Sequence, residues 1–181
     1  LETGGDLLWV KRRRNGKWIA AVGDVSGKGL AAALYMSQAT ALLKFATQNE
    51  TLDFDRILPA LDQTMRNLMG SRDFLTLILL EWDESGAYRI AGAGHPPALL
   101  MCGPRPQDIQ ELPSVGRGLG LRPPSESMWQ IYEGMLRPGE WIVMYSDGLT
   151  EAMNEKGELY GLPRMEEQLL RMHSMGSPRA A

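Results

Sequence analysis

Cys102 is the only cysteine in the chain. No disulfide can form within it, which points to a reducing, cytoplasmic setting. With no base or basic side chain beside it in sequence, Cys102 is not expected to act as a nucleophile. No apolar run reaches the roughly 18 residues of a membrane span, and no signal peptide is visible. A parent protein anchored through another domain is compatible with that. There is also no large excess of one charge. The formal net charge is −3, which argues against a dedicated nucleic-acid binder. The one basic cluster, Lys11-Arg12-Arg13-Arg14, precedes Asn15-Gly16 and is expected to be the solvated end of a hairpin. Internal repeats and low-complexity segments are absent.

What is present suits one globular domain over residues 1–181, and 44% of the residues are hydrophobic, enough for a buried core. Leu7 to Arg12 and Trp18 to Val22 read as strands joined at Asn15-Gly16, a strong hairpin signal. Leu30 to Gln48 is rich in alanine and leucine, lacks proline and reads as a helix. Leu34, Ala41, Leu42 and Phe45 fall near one face of it. A second helix is expected from Leu52 or Phe54 to Met69. Asp53 is its N-cap candidate, and its stripe is Ile57, Leu58, Leu61, Met65 and Leu68. Pro59 fits that helix only within the first turn. Further strands are expected at Phe74 to Trp82, Tyr88 to Ala93, Ala98 to Met101, Met128 to Tyr132 and Trp141 to Tyr145. Pro104 to Pro124 reads as a loop with one short strand at Ile109 to Leu112. A last helix is expected from Pro163 to Met172. Helices set between hairpin strands indicate an α+β fold of antiparallel sheets.

Three aspartates stand beside glycine: Gly4-Gly5-Asp6, Gly23-Asp24-Val25-Ser26-Gly27-Lys28-Gly29, and Tyr145-Ser146-Asp147-Gly148. The last two follow apolar runs that read as strands. Carboxylates at such points could converge on hard divalent cations, which prefer oxygen ligands. The alternatives are plain: Asp24 idle in a tight turn, and Asp147 capping a short helical turn. The second motif is not a P-loop, because only three residues separate Gly23 from Gly27-Lys28 and glycine follows the lysine. His95, in Ala93-Gly94-His95-Pro96-Pro97, is expected to be a structural imidazole bonded to backbone. His173 is expected to be a solvated residue near a helix end.

Taken together, these motifs, with Ala31-Ala32-Ala33-Leu34-Tyr35-Met36, Phe74-Leu75-Thr76-Leu77, Thr150-Glu151-Ala152 and Gly157-Glu158-Leu159-Tyr160-Gly161, resemble bacterial PPM phosphatases of the SpoIIE/RsbU type. Those are metal-dependent serine/threonine phosphatases related to protein phosphatase 2C. The resemblance runs from Gly4 to about Leu170 in the same order and rough spacing. It implies a sandwich of two antiparallel sheets flanked by helices, with two Mn²⁺ or Mg²⁺ ions at one end. Asp24 would bridge the ions, the Val25 backbone carbonyl would help hold one, Asp6 would serve one metal and Asp147 the other. A metal-activated water would attack a phosphoserine or phosphothreonine on a regulatory partner, typically an anti-sigma-factor antagonist. An upstream sensor or receiver domain would control it, and a homodimer is allowed.

Three departures from the family pattern accompany the resemblance. The closing Asp-Asp-apolar-Thr strand is not present, the strand ahead of Gly4 is missing, and Trp9 stands where a second aspartate is frequent. A domain lacking its first and last strands is therefore expected, with exposed edges. Two competitors follow: a catalytically degraded PPM-fold binding module, and a metal-dependent hydrolase of small phosphate esters.

Overall fold

The structure, a computed structural model, describes residues 5–48, 52–121 and 129–176. Gly4 of the first motif, Met128 and the end of the long loop at Pro123-Pro124 lie outside them. The strands are β1 (Asp6–Arg12), β2 (Trp18–Val25), β3 (Leu75–Trp82), β4 (Ala87–Ala93), β5 (Ala98–Met101), β6 (Ile109–Leu112), β7 (Ile131–Met135) and β8 (Trp141–Val143). The helices are α1 (Leu30–Gln48), α2 (Phe54–Leu68), α3 (Asp147–Thr150) and α4 (Leu162–Ser174). One five-stranded sheet has the order β1-β2-β3-β4-β7, and a three-stranded sheet has the order β6-β5-β8. Every strand pair within them is antiparallel. This is the two-sheet α+β sandwich that the sequence led us to expect.

Side-chain alternation sorts the large sheet into two faces. Leu7, Ile19, Ala21, Val25, Leu75, Leu77, Leu79, Ala91 and Ala93 point to the helices and form one core with α1 and α2. Val22, Ile78, Leu80, Tyr88 and Ile90 point the other way and meet Ala98 and Leu112 of the small sheet. The first turn forms at Asn15-Gly16 as expected, with Gly16 at φ 85° and its N–H donating to the Arg13 carbonyl. Among the described residues no helix is long and apolar enough to cross a membrane.

Several local expectations shift. β7 begins at Ile131 because its register is set by pairing with β4, Ile131 opposite Ala91 and Met135 opposite Ala87. β8 ends at Val143, two residues short of Tyr145. The residues grouped on one face of α1 do not share one environment: Leu42 packs partly buried against the core, and the others turn outward. Leu34 and Phe45 are 54% and 65% exposed, while Ala32, Met36, Ala39, Leu43 and Ala46 are buried. The helix carries a single charged residue, Lys44, so its sequence has no polar face to give the orientation away. Pro59 lies in the second turn of α2, not the first. Arg13 is not solvated either. Its guanidinium is buried, 2.7 Å from Glu81 Oε2, and donates to the Leu52 carbonyl ahead of α2. His173 leans on the Trp141 ring and bonds the Gly139 carbonyl, joining α4 to the β7–β8 turn.

Candidate metal centre

The hairpin register decides where the first two acids go. Asp6 is the partner of Asp24 across β1 and β2, and Asp24 is the partner of Thr76 across β2 and β3. Leu7 packs on the helix side, so Asp6 faces the small sheet. Asp24 shares that face with Val22, which packs between the sheets. The two acids therefore stand at the end of paired strands, not in free turns. Asp6, Asp24 and Thr76 make a row at one end of the sandwich.

Asp147 arrives from the other sheet. The chain leaves β8, passes Tyr145 and Ser146, and enters the single turn of α3 with Asp147 as its first residue. Gly148 makes the approach fit: a Cβ there would lie 3.1 Å from Asp6 Oδ2. Electrostatics report the same convergence. The Asp24 carboxyl is raised above its usual 3.8, first by burial, then by the charges of Asp147 and Asp6, with a smaller push from Glu151. A hydrogen bond from the Val25 N–H pulls the other way.

The donor chemistry suits a hard divalent cation. All the candidate ligands are oxygens. A Cβ at Gly5 would lie 2.7 Å from Asp24 Oδ1 and 3.0 Å from the Val25 carbonyl oxygen. These two oxygens thus open onto one small space that only glycine leaves clear. Among the described residues, no three acidic, histidine or cysteine side chains are drawn tightly enough to form a complete cage. The three carboxylates approach and repel, as the raised Asp24 carboxyl shows.

A cleft of about 540 Å³ opens beside them, lined by Asp24 and Asp147 together with Ser26, Phe74, Thr76 and His95. Among the described residues no arginine or lysine lines it. Ser26 and Phe74 are bonded twice, Ser26 N–H to the Phe74 carbonyl and Phe74 N–H to Ser26 Oγ, both at 2.8 Å. That pair fixes the chain just after Asp24. His95 is buried, with Nδ1 3.0 Å from Thr76 Oγ1 and Nε2 2.9 Å from the Tyr145 carbonyl. Its pKa is lowered, mainly by burial. The expected structural imidazole is found, bonded to backbone as expected. Thr76 was missed as part of the site. The signal was its even position in β3, opposite Asp24, in a strand whose other even residues are apolar until Trp82. Cys102 sits apart from the cleft, and burial with the nearby Glu140 pushes its thiol up, away from nucleophilic use.

Comparison with known proteins gives a consistent picture. Residues 14–181 match the profile of the family described as Stage II sporulation protein E (SpoIIE). Phosphoserine phosphatase RsbU of Bacillus subtilis (strain 168) is 28% identical over 143 residues, covering 77% of this chain and 41% of that protein. The structure of the RsbU and RsbW domains of Rv1364c from Mycobacterium tuberculosis superposes with a TM-score of 0.78 at 25% identity, covering 95% of this chain and 47% of that one. The SiaA-PP2C domain of Pseudomonas aeruginosa superposes with a TM-score of 0.74 at 26% identity, covering 92% and 65%. The chain therefore spans less than two thirds of each of these relatives.

Proposed function

The chain belongs to the SpoIIE family, and we infer from that premise that it is a metal-dependent protein serine/threonine phosphatase. Its substrate is a phosphoserine or phosphothreonine on a regulatory partner of the anti-sigma-factor-antagonist type. The parent protein places a sensor or receiver domain upstream, and the setting is cytoplasmic. The observation that carries the reading is the approach of Asp6, Asp24 and Asp147 from both sheets, beside a cleft that Asp24 and Asp147 line and that no lysine or arginine among the described residues lines.

That charge balance matters. A phosphate ester is anionic, and a cleft whose charged lining groups among the described residues are the carboxylates of Asp24 and Asp147 repels it. Asp6, Asp24, the Val25 carbonyl and Asp147 would hold two Mn²⁺ or Mg²⁺ ions, which supply Lewis acidity toward a phosphoryl oxygen and lower the pKa of a coordinated water. The remaining work belongs to the chain. Burial and like charges make the Asp24 carboxylate costly in the bare site, and a bound cation would offset that cost. Phe74 and Pro96 form apolar walls beside the acids. The Ser26–Phe74 and Thr76–His95 contacts hold the Asp24 segment at fixed depth.

A second reading, a catalytically degraded PPM-fold module that binds or regulates, draws on the absence of a complete cage among the described residues. A third, hydrolysis of small phosphate esters, shares the site. Rates on a phosphoserine-bearing protein and on a small aryl phosphate, with Mn²⁺ in excess, separate all three. The proposal expects a clearly higher kcat/KM on the phosphoprotein. Preference for the small ester favours the third reading, and no turnover of either favours the second.

A further inference from the structure

The connection between the two sheets carries a contact that the hydrolytic reading does not use. β4 ends at Ala93 in the large sheet, and β5 begins at Ala98 in the small one. His95 sits in this crossover, 4% exposed. Gly94 precedes it at φ 67°, where a Cβ would lie 2.8 Å from the Gly118 backbone nitrogen, so the turn has room only for glycine. Pro96 and Pro97 follow and stiffen the exit.

The ring is used at both ends. The Tyr145 carbonyl can only accept, so Nε2 carries the hydrogen and donates at 2.9 Å. In the neutral ring Nδ1 is then bare and accepts the Thr76 hydroxyl at 3.0 Å. The hydroxyl has one hydrogen, so with it given to Nδ1 the Asp24 carbonyl, 3.3 Å from the same oxygen, receives none, and the tie to Asp24 is the strand pairing. Tyr145 stands two residues ahead of Asp147. Strand pairing from Asp24 to Thr76, then hydrogen bonds from Thr76 to His95 and from His95 to the Tyr145 carbonyl, thus link the large sheet to the backbone leading to Asp147. The other hydrogen bonds of the Asp147 side are local or run to the following loop, from Glu151 N–H to the Asp147 carbonyl and from Gly161 N–H to the Thr150 carbonyl. α3 is a single turn with no side-chain cap, and β8 is three residues long at the free edge of its sheet.

We propose that His95, with Thr76, is a positioning residue that sets the span between the Asp24 and Asp147 arms. Both ring nitrogens of His95 are taken up by Thr76 and the Tyr145 carbonyl, and it acts by holding the two backbones at a fixed separation. The inference rests on the metal-centre reading above and deepens it. Outer partners of metal ligands commonly matter by 10–100-fold in affinity, because they determine where the ligand atoms stand. Loss of this clamp falls on the cation shared by Asp24 and Asp147. A cation held by Asp6, Asp24 and the Val25 carbonyl is spared, since that set lies within one hairpin.

The test uses Thr76→Val, which keeps shape and removes the hydroxyl, Thr76→Ser, which restores it, and His95→Ala. Two measurements are made on the whole chain. Amide hydrogen exchange, without metal, should speed up at residues 145–148 in Thr76→Val and His95→Ala, and return to the wild-type pattern in Thr76→Ser. Calorimetric Mn²⁺ titration should show one step weakened by about tenfold or more in the same two variants, the other step unchanged, and recovery in Thr76→Ser. If His95→Ala does not fold, Thr76→Val decides the matter alone. Wild-type exchange and both Mn²⁺ steps intact in Thr76→Val would overturn the inference while leaving the metal centre standing. Absence of any Mn²⁺ step in the wild type would instead overturn the metal centre, and the proposed span with it.

Discussion

At the scale of single residues, the site is decided by small side chains as much as by acids. Gly5 leaves open the space that Asp24 Oδ1 and the Val25 carbonyl share. Gly5→Ala places a methyl group 2.7 Å from that carboxylate oxygen. It should weaken Mn²⁺ binding by about tenfold or more, the scale seen when ligand geometry is disturbed, with little change in Tm. Calorimetry with unchanged affinity would show that the space at Gly5 is not used. Asp24 itself gives a signed prediction. Burial and the charges of Asp147 and Asp6 hold its folded pKa above the unfolded 3.8, so the folded chain binds this proton more tightly. The metal-free protein gains stability from Asp24 as pH falls through the raised value toward 3.8, and loses it as pH rises back through that window. Asp24→Asn removes the strained charge. Without metal at pH 7 its Tm should exceed that of the wild type, and the difference should close in acid. A lower Tm at pH 7 would mean the carboxylate is well accommodated.

At the scale of elements, pattern reading worked where an element has two unlike faces. α2 shows this: Ile57, Leu58, Leu61 and Met65 of its expected stripe are all buried, and only Leu68 is substantially exposed. α1 has apolar residues all round, so spacing could identify the helix but not its inner side. The structure fixes it. Leu43→Ala should cost about 2–5 kcal/mol, as for a leucine lost from a packed core. Phe45→Ala should change stability by less than about 0.5 kcal/mol, as for an exposed position. Urea melts of the two variants check this, and the reverse order would restore the face that the sequence suggested. Arg13 is a comparable case. Among four consecutive basic residues, nothing local marks the one that is buried against Glu81. That choice depends on a strand 68 residues away.

At the scale of the whole molecule, the legible part was the order of motifs and the sandwich they imply. The glycine-flanked acids Asp6, Asp24 and Asp147 could be named from sequence because carboxylate, glycine and strand end recur together. That they could converge was also legible, but the geometry of the meeting was not, since it depends on the register of β1, β2 and β3 and on the crossing from one sheet to the other at His95. Thr76 went unremarked as a site residue for the same reason: a lone threonine in an apolar strand gains meaning only from what stands opposite. The account's central claim is that these acids make a metal-dependent phosphoprotein phosphatase. The most direct measurement is phosphate release from a phosphoserine-bearing protein as Mn²⁺ is raised, for the wild type and Asp24→Asn. The account predicts turnover that rises with Mn²⁺, stops when a chelator is added, and falls by more than about 100-fold in Asp24→Asn, beyond the usual cost of losing an outer partner. Turnover that ignores the chelator, or survives in Asp24→Asn, would contradict it.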